Sequence, residues 1–165
     1  MTSTVLPVAA VKTAPDEPLI ALQTGSSPGK LAEESIRLEG LHILVVDDEE
    51  DARRLLSRVL VQSGARVTTA ASADEAIAAI ERRQPHLLVS DIAMPEKDGY
   101  DLIRHIRGKG LGAKALPAVA LTAFAQKEDA RTAILAGFQV HIAKPVDPRD
   151  LLATVASLAG RTGGR

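Results

Sequence analysis

Residues 41–51 read LHILVVDDEED, an apolar run of strand length that stops on two adjacent carboxylates. The pattern recurs downstream: HLLVS runs into Asp91, LPAVAL into Thr122, and VHIA into Lys144 and Pro145. Each run has the length of one buried strand, and segments of helical periodicity lie between them. In a parallel sheet, strand ends gather along one edge, and ligands bind in the crevice outside the carboxyl ends. Asp47, Asp48, Asp91, Thr122 and Lys144 are therefore expected around one pocket, although they are scattered along the chain. Three carboxylates, a hydroxyl and an ammonium make a site for a divalent metal ion and a phosphoryl group.

Composition narrows the class. A chain of 165 residues, 45% hydrophobic and 25% charged, is expected to form one globular domain with room for a tail. Aromatics are only 2%, so the core must come from Leu, Ile, Val and Ala. A net charge of -1 gives no electrostatic case for nucleic acid or a membrane surface. The absence of cysteine excludes disulfides, thiolate chemistry and cysteine-ligated metals. No apolar run approaches a membrane span, and the N-terminus lacks the layout of a secretion signal. The expectation is a soluble, cytoplasmic protein.

Residues 1–40 read as a flexible tail, since Pro15, Pro18, Gly25, Ser26, Ser27, Pro28 and Gly29 neither pack nor propagate a helix. A short strand-like piece, TSTVLPVAAV, precedes that stretch. From Leu41 the chain alternates strand and helix five times, giving a domain over 41–160 and a short tail over 161–165. The spacing of Leu55, Leu56, Val59 and Leu60 predicts a helix over 53–61. Ser72 with Glu75 predicts a capping box for the second helix, which carries Ala76, Ile77 and Ile80 inward. Asp98-Gly99 opens a third helix with Leu102, Ile103 and Ile106 turned inward, and a fourth runs over 127–136 with Gly137 as a left-handed cap. Asp147 and Pro148 start the last helix, which buries Leu151, Leu152, Val155 and Leu158. Largely apolar strands suit a parallel sheet covered on both faces, and right-handed crossovers give a three-layer α/β sandwich.

Each site residue also has a plainer reading. Asp91 could be an exposed loop aspartate, but on a strand end beside a metal it becomes a nucleophile toward a phosphoryl donor. The acidic run 47–51 could serve only the dipole of the next helix. We assign Glu49, Glu50 and Asp51 to that role, and Asp47 and Asp48 to the crevice, where Mg²⁺ relieves the repulsion between adjacent carboxylates. Thr122 alone could be a cap, and Lys144 alone a solvated surface charge. Pro145 directly after Lys144 predicts a rigid turn, compatible with a cis peptide, that fixes the lysine's direction.

With those residues in place, the stretch from Leu41 to Leu158 resembles the receiver domain of two-component response regulators. The matching segments are VVDDEED, SDIAMPEKDGYDLI, ALTA and AKP, in that order. The resemblance implies a flavodoxin-like (βα)5 fold with a five-stranded parallel sheet in the order 2-1-3-4-5. It implies that Asp91 accepts a phosphoryl group from a kinase histidine, in a signalling domain with at most self-phosphorylation and self-dephosphorylation. Asp48, Asp91 and the Ala93 carbonyl would then bind Mg²⁺, with Asp47 acting through water, while Thr122 and Lys144 hold the phosphoryl oxygens.

Three positions depart from the family pattern. The switch position, usually Tyr or Phe, is His141, whose ring fills less space than a phenol and stands equally well as structural filler. Ala93 and Phe124 flank the phosphoryl site by family geometry, and neither side chain can orient a hydrolytic water, so slow self-dephosphorylation is expected. Arg53, Arg54, Leu55 and Arg58 on the first helix are the expected contact for the histidine kinase phosphodonor domain; the plainer reading is a solvated basic face. A downstream phosphotransfer or effector protein is a further expected partner, and no DNA-binding region is expected after residue 160. Two architectures fit: a stand-alone regulator, or the carboxy-terminal receiver of a hybrid sensor histidine kinase. The first ten residues and segment 120–148 favour the second. The alternative function is a receiver-fold scaffold that binds partners without phosphorylation, and a phosphatase with a DxD first strand is disfavoured by the adjacent Asp47-Asp48.

Overall fold

A computed structural model describes residues 36–123 and 127–160. The readings made for residues 1–35, for Phe124 and for the final tail lie outside the described residues. Five strands, β1 (His42–Val46), β2 (Arg66–Ala70), β3 (Leu87–Asp91), β4 (Ala118–Thr122) and β5 (Val140–Ala143), form one sheet in the order β2-β1-β3-β4-β5. All four pairings are parallel. Between and after them run α1 (Glu50–Gln62), α2 (Ala73–Arg82), α3 (Gly99–Gly108), α4 (Lys127–Ala136) and α5 (Pro148–Leu158). This is the expected flavodoxin-like order.

Strand alternation divides the core into two layers. Leu44, Val46, Leu88, Ala118 and Ala120 face α2, α3 and the end of α4, where Ala76, Ile80, Leu102, Ile103, Ala133 and Phe138 meet them. Ile43, Val45, Leu87, Val89, Val119 and Leu121 face α1 and α5 through Leu56, Leu60, Leu151, Leu152 and Val155. Because β1, β3 and β4 are buried along their whole length, apolar residues fill consecutive positions in them rather than alternating, with polar residues only at the strand ends. The edge strand β2 is partly exposed and carries Arg66, Thr68 and Thr69. Phe138 is fully buried beside this aliphatic core. The core also reaches ahead of residue 41: Leu38 is fully buried and its N–H donates to the Ser63 carbonyl at 2.7 Å.

Helix ends refine the sequence reading. α1 begins at Glu50 rather than 53, since Glu50 and Asp51 occupy its first turn and favour the positive end of the helix dipole. Leu55 on this helix stays 54% exposed, so its apolar stripe is narrower than the spacing predicted. The Ser72 hydroxyl accepts from Glu75 N–H, but Glu75 reaches back to Ala71 N–H instead of completing a box with Ser72. The complete capping box lies at α3, where Asp98 and Asp101 each accept the other's backbone N–H. Gly137 has φ +131° and closes α4, with Phe138 N–H returning to the Ala133 carbonyl at 3.0 Å. Asp147 caps α5 through Arg149 N–H, with Pro148 in the first turn as predicted.

Candidate functional site

The carboxyl ends of β1, β3, β4 and β5 lie along one sheet edge because the strands are parallel and in register. Asp91 aligns with Leu121, and Thr122 with Ala143. Backbone bonds continue past the strands: Asp47 N–H donates to Ala70 O at 3.1 Å, and Lys144 N–H to Thr122 O at 2.7 Å. The sheet thereby fixes the backbone of each site residue before any side chain acts.

Asp47, Asp48 and Asp91 each place a carboxylate oxygen within 4.8 Å of the others. Asp47 is fully buried and Asp91 is 5% exposed, whereas Asp48 is exposed. Burial removes the exposed-loop reading of Asp91. Lys144 Nζ bridges the two buried acids, 3.1 Å from Asp47 Oδ2 and 3.3 Å from Asp91 Oδ2. The other Asp47 oxygen accepts Glu49 N–H at 2.9 Å, and Ala93 backbone hydrogen-bonds the Asp91 carboxylate. The Lys144–Pro145 peptide is cis.

Charge in this cluster is unevenly balanced. Burial and the Asp47 charge push the Asp91 carboxyl above the usual aspartate range, against the pull of Lys144. Burial works against the Lys144 ammonium, yet hydrogen bonds and charge from Asp47 and Asp91 outweigh it and hold its pKa above the ordinary value. Three carboxyl groups face one ammonium, an all-oxygen donor set with surplus negative charge. That fits a hard divalent cation such as Mg²⁺, which takes oxygen ligands from one or two carboxylates and shares its shell with phosphate.

Thr122 is 5% exposed, and its Oγ1 lies 2.6 Å from His141 Nε2. Ala93 is exposed on the loop after β3. The basic residues Arg54 and Arg58 and the side chain of Leu55 are exposed on α1, with Arg54 paired to Glu50 at 2.6 Å. Arg53 has a second role: its guanidinium donates to the Asp47 carbonyl at 2.8 Å, tying α1 to the end of β1. Sequence reasoning missed that contact because the partner is a backbone atom, which no side-chain pattern marks. It also missed Lys97, which pins the loop after β3 to Asp74 at 2.8 Å.

The response regulator receiver domain family model matches residues 43–156. The chain belongs to that family. As a receiver it is 49% identical over 118 residues to an uncharacterized 14.6 kDa protein in the sodA1 3' region of Leptolyngbya boryana, covering 72% of this chain and 89% of that one. It is 37% identical over 120 residues to a protein of Cyanophora paradoxa named "Probable transcriptional regulator ycf27", covering 73% of this chain and 48% of that one. The receiver therefore spans about half the length of that longer relative. Among solved structures, it resembles the chemotaxis protein CheY4 of Vibrio cholerae with a TM-score of 0.67 and 28% identity, covering 72% of this chain and 98% of that one. A CheY-like receiver domain protein from Methanospirillum hungatei aligns with a TM-score of 0.66 and 30% identity, covering 73% and 94%. Among the described residues of the receiver, no helix is long and apolar enough to cross a membrane.

Proposed function

We propose that this receiver takes a phosphoryl group from a phosphohistidine of a histidine kinase onto Asp91, with Mg²⁺ as cofactor, in a His-to-Asp relay. The observation that carries the reading is the buried Asp91 carboxylate joined through Lys144 to Asp47, with Asp48 alongside. A carboxylate oxygen of Asp91 attacks phosphorus, the P–N bond to the donor imidazole breaks, and the imidazole keeps the bonding electrons. The product is an acyl phosphate on Asp91 and a free histidine on the donor. Asp48, Asp91 and the Ala93 carbonyl would hold the cation, with Asp47 acting through water, and a bound Mg²⁺ would supply charge neutralisation for the transferring oxygens. Lys144 already hydrogen-bonds the oxygen face of Asp91 and is placed to neutralise an incoming phosphoryl oxygen, with the Thr122 hydroxyl as a second donor.

The exposed Arg54, Leu55 and Arg58, together with Arg53, form the surface we assign to the donor helices. The parent architecture we favour is a cytoplasmic hybrid sensor kinase with this domain as its receiver, and the coding sequence upstream of Met1 tests it. Incubation with acetyl phosphate and Mg²⁺, followed by intact-mass measurement, tests the acceptor chemistry. The native chain is expected to gain one phosphoryl group, and Asp91→Asn none. One observation favours a scaffold instead: Ile134 and Leu135 lie exposed on α4, at 47% and 76%. A native chain that stays unmodified with Mg²⁺ and donor supports that alternative.

A further inference from the structure

The proposed chemistry makes the Thr122 hydroxyl a donor toward an oxyanion on Asp91, and the structure gives that hydroxyl a competing partner. Thr122 Oγ1 and His141 Nε2 are 2.6 Å apart. The contact follows from register. Thr122 stands opposite Ala143, and Ala120 opposite His141, in the parallel pair β4–β5. Residues two apart share a face, so His141 lies on the diagonal from Thr122. The Ala143 methyl directly opposite has no polar group, and the longer imidazole reaches across in its place.

A threonine hydroxyl has one hydrogen to give, and a ring nitrogen is either donor or acceptor according to whether it carries a proton. With Nε2 bare, the hydroxyl hydrogen is given to the ring. With Nε2–H present, the ring donates and the hydroxyl hydrogen is released from it. That exclusion holds whatever else the hydroxyl oxygen accepts.

We propose that His141 is a positioning residue for Thr122: an Nε2-protonated ring turns the hydroxyl toward an anion held on Asp91, and an anion there favours the Nε2-protonated ring. The inference rests on the phosphoacceptor reading and adds to it what the ring at 141 does. A ring that acted by bulk alone would not discriminate between donor and acceptor; a directional bond does. Because linked equilibria are reciprocal, the effect reads out at either end.

The test uses the full chain, labelled with nitrogen-15, in Mg²⁺ with and without berylliofluoride. Fluorine spectra report the adduct on Asp91, and imidazole nitrogen shifts report the protonation of His141 Nε2. The expected result is an adduct accompanied by movement of Nε2 into the protonated-nitrogen range, a movement that Thr122→Val abolishes. His141→Phe is expected to weaken berylliofluoride binding about fivefold or more, and His141→Gln, which keeps an N–H donor, to recover most of it. An adduct that leaves the His141 nitrogens unmoved overturns the proposal, as does His141→Phe binding as tightly as the native chain. No adduct in the native chain overturns the phosphoacceptor reading, and this inference with it.

Discussion

Asp91 is held in a state that its isolated chemistry disfavours. Burial and the neighbouring Asp47 raise its pKa, so the folded chain binds the Asp91 proton more readily than the unfolded chain does. Its contribution to stability is therefore present below the unfolded pKa and is lost as pH rises through the raised folded value. At neutral pH the ionised group is a net cost. Asp91→Asn is expected to raise the melting temperature in metal-free buffer at neutral pH by about 2–4 °C, and Mg²⁺ is expected to stabilise the native chain more than the variant. A lower melting temperature for Asp91→Asn in chelator would count against this assignment. His42 shows the opposite sign. It is 5% exposed, its Nε2 contacts Thr68 Oγ1 at 2.7 Å, and its buried Nδ1 has no hydrogen-bond partner among the described residues. Burial first, then Arg66, Arg83 and His86, lower its pKa. Stability is thus present above the unfolded pKa and is lost as pH falls from about 6.5 toward the lowered folded value, with a slope of at most about 1.4 kcal/mol per pH unit. Urea unfolding across that window should show a slope that His42→Leu flattens. Under the proposed chemistry Ala93 bears on the lifetime of the acyl phosphate, since a methyl cannot orient a water. Ala93→Asn combined with Phe124→Glu is expected to shorten the life of the acyl phosphate on the order of tenfold or more, measured by the decay of the phosphorylated mass.

At the scale of elements, the loop between β3 and α3 links fold to site. A Cβ on Gly99 would lie 2.5 Å from the Asp91 carbonyl oxygen and 2.9 Å from Ile92 Cα, so only glycine lets α3 start this close to the strand end. Gly99→Ala is expected to cost about 1–3 kcal/mol and to slow phosphorylation of Asp91. At the other end of α3, a Cβ on Gly108 meets nothing within 4 Å. Gly108→Ala should therefore be neutral or gain up to about 1 kcal/mol by denaturant unfolding. Asp98-Gly99 was legible in sequence as a helix start, but the reason for the glycine was not, because the atoms it avoids belong to a backbone eight residues away. Arg107 was illegible for the same reason. Its guanidinium donates to the carbonyls of Leu111, Leu116 and Gly137 and to the Gln139 side chain, joining the end of α3 to the approaches of β4 and β5. Helix periodicity marks apolar faces, and a half-buried cation that bonds to carbonyls leaves no such mark.

For the molecule as a whole, the parallel order and the two-sided core followed from apolar runs that end on polar residues. The gathering of Asp47, Asp48, Asp91 and Lys144 followed from the same edge. The direction of the Thr122 hydroxyl did not, since it depends on which β5 residue lies diagonal to β4, and strand register is invisible in a single sequence. Nor did the burial of Leu38, which packs ahead of the first strand with its N–H bonded to the Ser63 carbonyl of the α1–β2 turn. On the function proposed above, this assembled edge makes Asp91 a phosphoryl acceptor. The most direct test of that role is to phosphorylate the chain in Mg²⁺, reduce the acyl phosphate with borohydride, and map the product by peptide mass spectrometry. Conversion of Asp91 to homoserine, absent without donor and absent when Mg²⁺ is chelated, is the predicted result. Reduction at another aspartate, or no reduction at any residue, would contradict that role for Asp91.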